Sequence, residues 1–291
     1  MPMNGTLIDL VIPYVDNTDK VWQKNYIEYC QTHNQRLKIA DMRSQRYEDI
    51  GLINYQLRLA EKNLPFINRI YLLLSNIEQA PKNLPDKVSI VLHKDFVPNK
   101  YLPTFNSTTI EMFLWNIPNL SDFFIYANDD MLPCKPMKKG DFFNNGKIKI
   151  KFKDDPLNFT NRNEFPYQCW NSLKNVLLAL ELPFNDTCEI MRPIHSFTPM
   201  NKSHCREIFK LIEPKITRNI SAFRTIYQHN QYIYPLFEHF KYGTEDSDID
   251  FLYSEIAFDK EIDLNHQIVC LNIIYERQEE IKKELEKLCE L

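Results

Sequence analysis

The sequence predicts an α/β protein: a mostly parallel sheet flanked by helices, followed by a mainly helical C-terminal half. Short runs rich in Val, Ile, Leu, Phe and Tyr, each bounded by Asn, Asp or Pro, alternate with helix-like stretches through the first half of the chain. Strands that alternate with helices are joined by crossovers, and crossovers give a parallel sheet covered on both faces. Beyond about residue 150 the apolar residues recur mainly at helical spacing.

The elements follow in order. Residues 7–15, 69–74, 88–92 and 123–127 read as buried strands, and 21–31, 52–63 and 108–115 as the helices between them. Pro13 stands out within the first strand, because proline belongs at an edge, an end or a bulge. Residues 147–152 suggest one more strand. The helices expected after it cover 171–182, 202–212, 222–240 and a charged closing segment from 275 to 291. In that last segment Ile281, Leu285 and Leu288 share a stripe, which fits a helix packed on its own domain better than a docking surface. With no repeat and no low-complexity linker, 1–150 reads as an α/β core and 151–291 as a helical part completing the same domain. This core is Rossmann-like in its alternation.

Composition narrows the function. A net charge of −4 gives no bulk attraction to nucleic acid or anionic lipid, so no nucleic-acid partner is expected. Only 5 Gly are present, and neither GxGxxG nor GxxxxGK[ST] occurs, so phosphates would have to be held by cations, a metal or helix N-termini. The 7 cysteines form no CxxC pair, which suits a reducing compartment. Asp9 interrupts the first apolar run, no basic n-region precedes it, and no apolar stretch reaches membrane-spanning length. A cytoplasmic location is expected.

Several segments carry chemistry-bearing residues. Asn128-Asp129-Asp130 closes the fourth strand, where open sheets bind ligands, and paired carboxylates there can hold Mg²⁺ or Mn²⁺ against a diphosphate. The same triplet also reads as a strand-ending turn. Asn106 and Ser107 can cap the following helix. Thr108 and Glu111 have capping-box spacing, which would make Glu111 a helix stabiliser only. Asp9, Asp16, Asp19 and Trp22 lie around the first strand, and His93-Lys94-Asp95 follows the third; in a parallel sheet these ends gather beside Asp129 and Asp130. Further on, His195 and Arg224 offer a titratable ring and a phosphate-matching guanidinium, though each also has an ordinary structural reading.

Taken together, these segments resemble the Stealth family of sugar-phosphate transferases. That family includes bacterial capsule and receptor-polysaccharide phosphotransferases and the animal GlcNAc-1-phosphotransferase that marks lysosomal enzymes. Ile8 to Trp22 looks like the first family block. The second runs from Gln56-Leu57-Arg58 through His93-Lys94-Asp95-Phe96, Leu102 to Ser107 and Ile110-Glu111 to Asn128-Asp129-Asp130-Met131. A looser third block surrounds His195 and Phe223-Arg224. The fourth is similar at Cys270-Leu271-Asn272 but has Ile273 where the family usually shows Asp.

By that resemblance, Glu111, Asp130, His195 and Arg224 are the essential residues of a GT-A-like scaffold. Asp16, Arg58, His93, Asn106, Ser107 and Asn128 are expected to bind substrate, and Asp129 and Asp130 to hold Mg²⁺ or Mn²⁺. The implied reaction moves an intact sugar-1-phosphate from a nucleoside-diphosphate sugar, taken as a UDP-sugar, to a hydroxyl of a glycan or lipid-linked glycan. A nucleoside monophosphate leaves. His195 is the expected general base, with Glu111 as the alternative, and Arg58 and Arg224 hold phosphate oxygens. Peripheral association with membrane-bound polysaccharide-synthesis machinery belongs to the same expectation. The alternatives are a metal-dependent glycosyltransferase releasing UDP and a non-catalytic sugar-binding subunit, which the departure at Ile273 keeps open.

Overall fold

The structure, a computed structural model, describes residues 5–35, 47, 50–156, 159, 164–185, 189–255, 261–272 and 277–290. Ile273, the start of the closing helix at 275 and the terminal residue 291 lie outside the described residues. In chain order the strands of the first half are β1 (Ile8–Pro13), β2 (Ile67–Leu74), β3 (Val88–Leu92), β4 (Phe123–Tyr126), β5 (Met131–Pro133), β6 (Phe143–Asn144) and β7 (Lys147–Ile148). The second half adds β8 (Phe152–Pro156), β9 (Glu189–Pro193), β10 (Thr198–Asn201), β11 (Phe251–Glu255) and β12 (Ile268–Asn272). The helices are α1 (Lys20–Thr32), α2 (Leu52–Asn63), α3 (Ser107–Glu111), α4 (Lys139–Phe142), α5 (Phe165–Ala179), α6 (Lys202–Leu211), α7 (Glu213–Asn219), α8 (Ile233–Tyr242) and α9 (Gln278–Glu290).

The central sheet has the order β10-β4-β1-β2-β3. Its four expected strands pair in parallel, and β10 adds an antiparallel edge against β4. β1 lies in the middle and is buried along almost its whole length, as a strand covered on both faces must be. Pro13 fits this position for a specific reason. Tyr14 N–H bonds Leu73 O of β2, at 3.0 Å, so the alternating ladder turns the nitrogen of Pro13 toward β4. The β1–β4 register ends at Val11↔Tyr126, so no acceptor of β4 lies beside the missing donor.

Two core layers sandwich the sheet. One gathers Val11, Tyr71 and Phe124 with Val176, Ile208 and Phe237 of α5, α6 and α8. The other gathers Leu10, Ile12, Leu72 and Ile125 with Ile53 and Leu57 of α2. A second sheet, β11-β12-β5, runs antiparallel at β5–β12 and leads directly out of the Asp129-Asp130 corner. On it lies α9, whose Ile281 and Leu285 are fully buried against Leu52, Leu59, Leu132, Val269 and Leu271. The apolar stripe of the closing helix is therefore occupied within its own fold, as the packed-helix reading expects.

Several local expectations change. Residues 147–152 are not one strand: β7 pairs with β6, and β8 pairs with β9. The helix expected over 108–115 is a single α-turn, α3, followed by a 3-10 turn at Leu114–Asn116. The helix expected at 171–182 begins earlier, at Phe165 with Pro166 in its first turn, where a missing N–H costs nothing. Of the helix expected over 222–240, only Ile233 onward is helical. Residues 222–232 run instead as a loop buried at both ends, because side chains satisfy its backbone: Gln168 bonds Thr225 O, Asn171 bonds Ile226 O, and Glu111 receives Gln231 N–H. The second half is helix-rich, but its strands complete both sheets.

Candidate active site

The carboxyl ends of β1, β2, β3 and β4 converge on one cleft of about 700 Å³, part of it open to solvent. The position is where open α/β sheets bind ligands. Its walls come from Pro13 to Val15 after β1, Ser75 after β2, His93 after β3 and Asn128-Asp129 after β4. The segment 104–107, Ile110 and Arg224 close the side.

An aromatic cluster builds that side wall. Trp22, Tyr26, Tyr47, Phe105 and Phe223 pack with ring centroids between 4.7 and 5.9 Å apart, contacts worth about 0.5–1.5 kcal/mol each beyond their buried area. Phe105 N–H donates to Ala222 O at 2.9 Å, and Tyr47 O–H to Phe105 O at 3.1 Å. The 104–107 segment and the 222–232 loop are thus clamped together, which sets Arg224 in the cleft wall. Asp19 caps α1, accepting from Val21 N–H and Trp22 N–H, and so fixes the helix that carries Trp22.

Glu111 is almost fully buried and does not cap α3. The N-cap is Asn106, whose Oδ1 accepts from Thr108 N–H at 3.1 Å, so the capping-box reading of Thr108 and Glu111 fails. The Glu111 carboxylate instead accepts from Gln231 N–H at 2.8 Å and Tyr126 O–H at 3.3 Å. Burial raises its pKa, opposed by the charge of Arg224 and by hydrogen bonds from Gln231, Ser107 and Tyr126. Arg224 Nη2 donates to Ser107 Oγ at 2.7 Å. Glu111, Ser107 and Arg224 thus form one unit, with Ser107 and Arg224 on the cleft surface and Glu111 behind them.

A second unit lies beside it. Asn128 lines the cleft, and its Nδ2 lies 3.5 Å from His195 Nε2; His195 Nδ1 lies 3.3 Å from the Tyr232 hydroxyl. With Asn128 donating as placed, His195 carries its proton on Nδ1 toward Tyr232 and keeps a lone pair on Nε2. Burial lowers the His195 pKa; Asp130 opposes this, and Arg192 and Arg224 reinforce it, so the ring is neutral near pH 7. Asp129 faces the cleft, whereas Asp130 turns toward His195 and Cys270. Asp130 Oδ1 is buried without a hydrogen-bond partner.

That unmet oxygen is the kind of ligand Mg²⁺ or Mn²⁺ take, and Asp129, the adjacent residue, offers a second carboxylate on the cleft side. The residues present therefore fit such an ion.

Not every expected residue reaches the cleft. Arg58 sits on the outer face of α2, half-exposed, and pairs with Glu286 of α9 at 3.2 Å; it ties two helices together and holds no phosphate. Asp16 Oδ1 accepts from Thr18 N–H at 2.8 Å and Thr18 Oγ1 at 2.7 Å, shaping the turn after β1, and Asp16 is not among the residues lining the cleft. Asn106 borders the cleft, but its amide is spent on Ser221 O and Gln228 Oε1. Asp9 lies within β1, held by Asn68 and Ser121 N–H, away from the carboxyl edge. His93 is in the wall, buried, with Nε2 unpaired. Gln56, to which its sequence context gives no role, donates to Asn128 O at 2.7 Å and holds the Asn-Asp-Asp turn in place. Tyr126 and Tyr232, equally unmarked in the sequence, sit behind the acidic and imidazole groups.

Residues 46–151 match the family described as Stealth protein CR2, conserved region 2. The chain belongs to the Stealth family. The matched region runs from α2 through the Asn128-Asp130 corner, so the Stealth segment supplies most of the cleft floor. Similar proteins include a capsular polysaccharide phosphotransferase of Neisseria meningitidis serogroup B, 29% identical over 216 residues, which are 72% of this chain and 57% of that protein. Another, capsular polysaccharide phosphotransferase LcbA of Aeromonas hydrophila, is 32% identical over 75% of this chain and 61% of its own length. A Streptococcus thermophilus capsular polysaccharide phosphotransferase, eps5J, is 37% identical over 49% of this chain and 60% of its own. The chain thus spans less than two thirds of these Stealth relatives. No helix among its described residues is long and apolar enough to cross a membrane.

Proposed function

We propose that this Stealth chain transfers a sugar-1-phosphate from a nucleoside-diphosphate sugar, a UDP-sugar in the first instance, to a hydroxyl of a capsular or other cell-surface glycan. The observation that carries the reading is the meeting, at one cleft on the carboxyl edge of a parallel sheet, of the Arg224 guanidinium and the Asp129 carboxylate, with the neutral imidazole of His195 behind Asn128 of the same wall. The Stealth match and the names of the relatives support it.

Phosphoryl transfer asks for alignment and charge neutralisation more than for a covalent role of the protein. Asp129 and Asp130 are the residues that would hold Mg²⁺ or Mn²⁺, and the ion would neutralise diphosphate oxygens. Arg224, kept in place by Ser107 and the aromatic cluster, binds phosphate oxygens through its planar donors. Glu111 is a positioning residue: it is buried behind Ser107 and Arg224 and fixes the guanidinium's direction. The acceptor hydroxyl displaces the long contact of Asn128 with His195 Nε2 and gives its proton to that nitrogen, while Tyr232 accepts from Nδ1–H and holds the ring's tautomer. The acceptor oxygen then bonds the β-phosphorus, the P–O bond to the nucleoside monophosphate breaks, and the anomeric C–O bond stays intact. The reading places the protein in the cytoplasm, with a free or lipid-linked acceptor and peripheral contact with membrane-bound synthesis machinery.

The test is the released nucleotide. Purified protein is incubated with Mg²⁺ or Mn²⁺, a panel of UDP-sugars and a mixed glycan acceptor, and the products are separated chromatographically. UMP that requires metal and disappears in Asp130→Asn is the expected result. UDP release would make the protein a glycosyltransferase, and donor binding without release a sugar-binding subunit.

A further inference from the structure

Behind Asn128, three side chains of different ligand chemistry converge. The Asp130 carboxylate, a ring nitrogen of His195 and the Cys270 thiol have their ligand atoms all within 4.8 Å of one another. They come from three separate elements and are held firmly. Leu271 N–H donates to Asp130 O at 2.9 Å, Cys270 pairs with Met131 across β12 and β5, and Tyr232 meets His195. A second observation points to a ligand: Asp130 Oδ1 is buried with no nitrogen or hydroxyl donor on it, and only the weak Cys270 thiol donor faces that carboxylate.

The donor set is specific. Mg²⁺ binds oxygen, and a thiol is foreign to it. Carboxylate, imidazole and thiolate together are a set for Zn²⁺, with three protein ligands and a fourth position left for water. We propose that Asp130, His195 and Cys270 form a transition-metal site that takes Zn²⁺, and that Zn²⁺ held there inhibits the transfer. Binding forms a Zn–S bond and sends the Cys270 proton to solvent, with no change in oxidation state. Inhibition follows because the ion occupies His195, assigned above as the base, and Asp130, one of the two carboxylates assigned to Mg²⁺ or Mn²⁺. Binding does not rest on the sugar-phosphate reading; inhibition does.

The experiment titrates Co²⁺, as a spectroscopic stand-in for Zn²⁺, into reduced, chelator-treated full-length protein in excess Mg²⁺. The expected result is a single equivalent giving a near-ultraviolet thiolate-to-cobalt band and tetrahedral visible bands, both erased by Zn²⁺. Cys270→Ser, checked for folding by circular dichroism, loses the thiolate band and weakens Zn²⁺ binding by at least about tenfold, the least expected even for losing an outer-shell partner. His195→Gln, at a less buried position, weakens Zn²⁺ binding to a similar degree and serves if Cys270→Ser does not fold. No thiolate band in the wild type, or a band that survives in folded Cys270→Ser, overturns the site. UMP release undiminished under saturating Zn²⁺ overturns the inhibition. Cobalt binding through Cys270 without UMP from any donor upholds the site and counts against the reaction reading alone.

Discussion

His93 makes acid stability a direct probe of the cleft wall. Its ring is buried, and burial alone pushes its pKa from 6.5 down to about 4. The unfolded chain binds this proton more readily than the folded one between those values, so the stability from a neutral His93 is present above pH 6.5 and is lost as pH falls toward 4. At about 1.4 kcal/mol per pH unit, the interval amounts to about 3 kcal/mol. The perturbation is His93→Gln, which keeps a hydrogen-bonding side chain and removes the titration. Urea unfolding would be followed from pH 7 down to pH 4 for both proteins. Other groups titrate in both, including His229, which burial also holds at about 4, so the difference between the two curves isolates position 93. Relative to wild type, His93→Gln is expected to gain about 3 kcal/mol over that range. A gap that stays constant across the range would refute the reasoning and place the ring in contact with water or a proton acceptor.

Other outcomes follow from the same contacts. His195→Ala should lower metal-dependent UMP release by about 10²–10⁴, the usual contribution of a general base, in single-turnover assays. Glu111→Gln should lower turnover by misdirecting Arg224, and should also flatten the fall in stability that a carboxylate with a raised pKa causes as pH climbs above its unfolded value, read by thermal melts. Arg58→Ala should change urea stability by less than about 1 kcal/mol, because its ion pair with Glu286 is half-exposed, and should leave turnover unchanged. Leu285→Ala should cost about 2–5 kcal/mol in urea unfolding, because this side chain is fully buried between the closing helix and the second sheet.

What could be read in advance was mostly what short-range pattern encodes. The apolar runs marked β1 to β4 within a residue or two at most ends, and parallel pairing followed from their alternation with helices. That in turn placed His93, Asn128 and Asp129 at one edge. Partner choice was harder to read. Arg58 has the right chemistry for phosphate, but its direction on α2 depends on which face meets the core, and Glu286 of α9 claims it. Residues 222–232 carry apolar residues at near-helical spacing, yet long-range hydrogen bonds from Gln168, Asn171 and Glu111 hold them as a loop. Glu111 illustrates the limit most directly. Local spacing offered a cap at Thr108, and the true cap, Asn106, lies two residues earlier, releasing the carboxylate for a partner far along the chain.

The stitching of Asp130 to Leu271 has a consequence for biosynthesis. The corner that bears Asn128, Asp129 and Asp130 belongs to the first half of the polypeptide, but its backbone is secured by a strand that leaves the ribosome much later. The parallel sheet and the cleft floor can form on the nascent chain while the acidic corner still lacks its clasp. Until β12 docks, the groups that would act on a nucleotide-sugar are not held in register. A half-made copy is therefore expected to be inert, and competence arrives only with the last sheet.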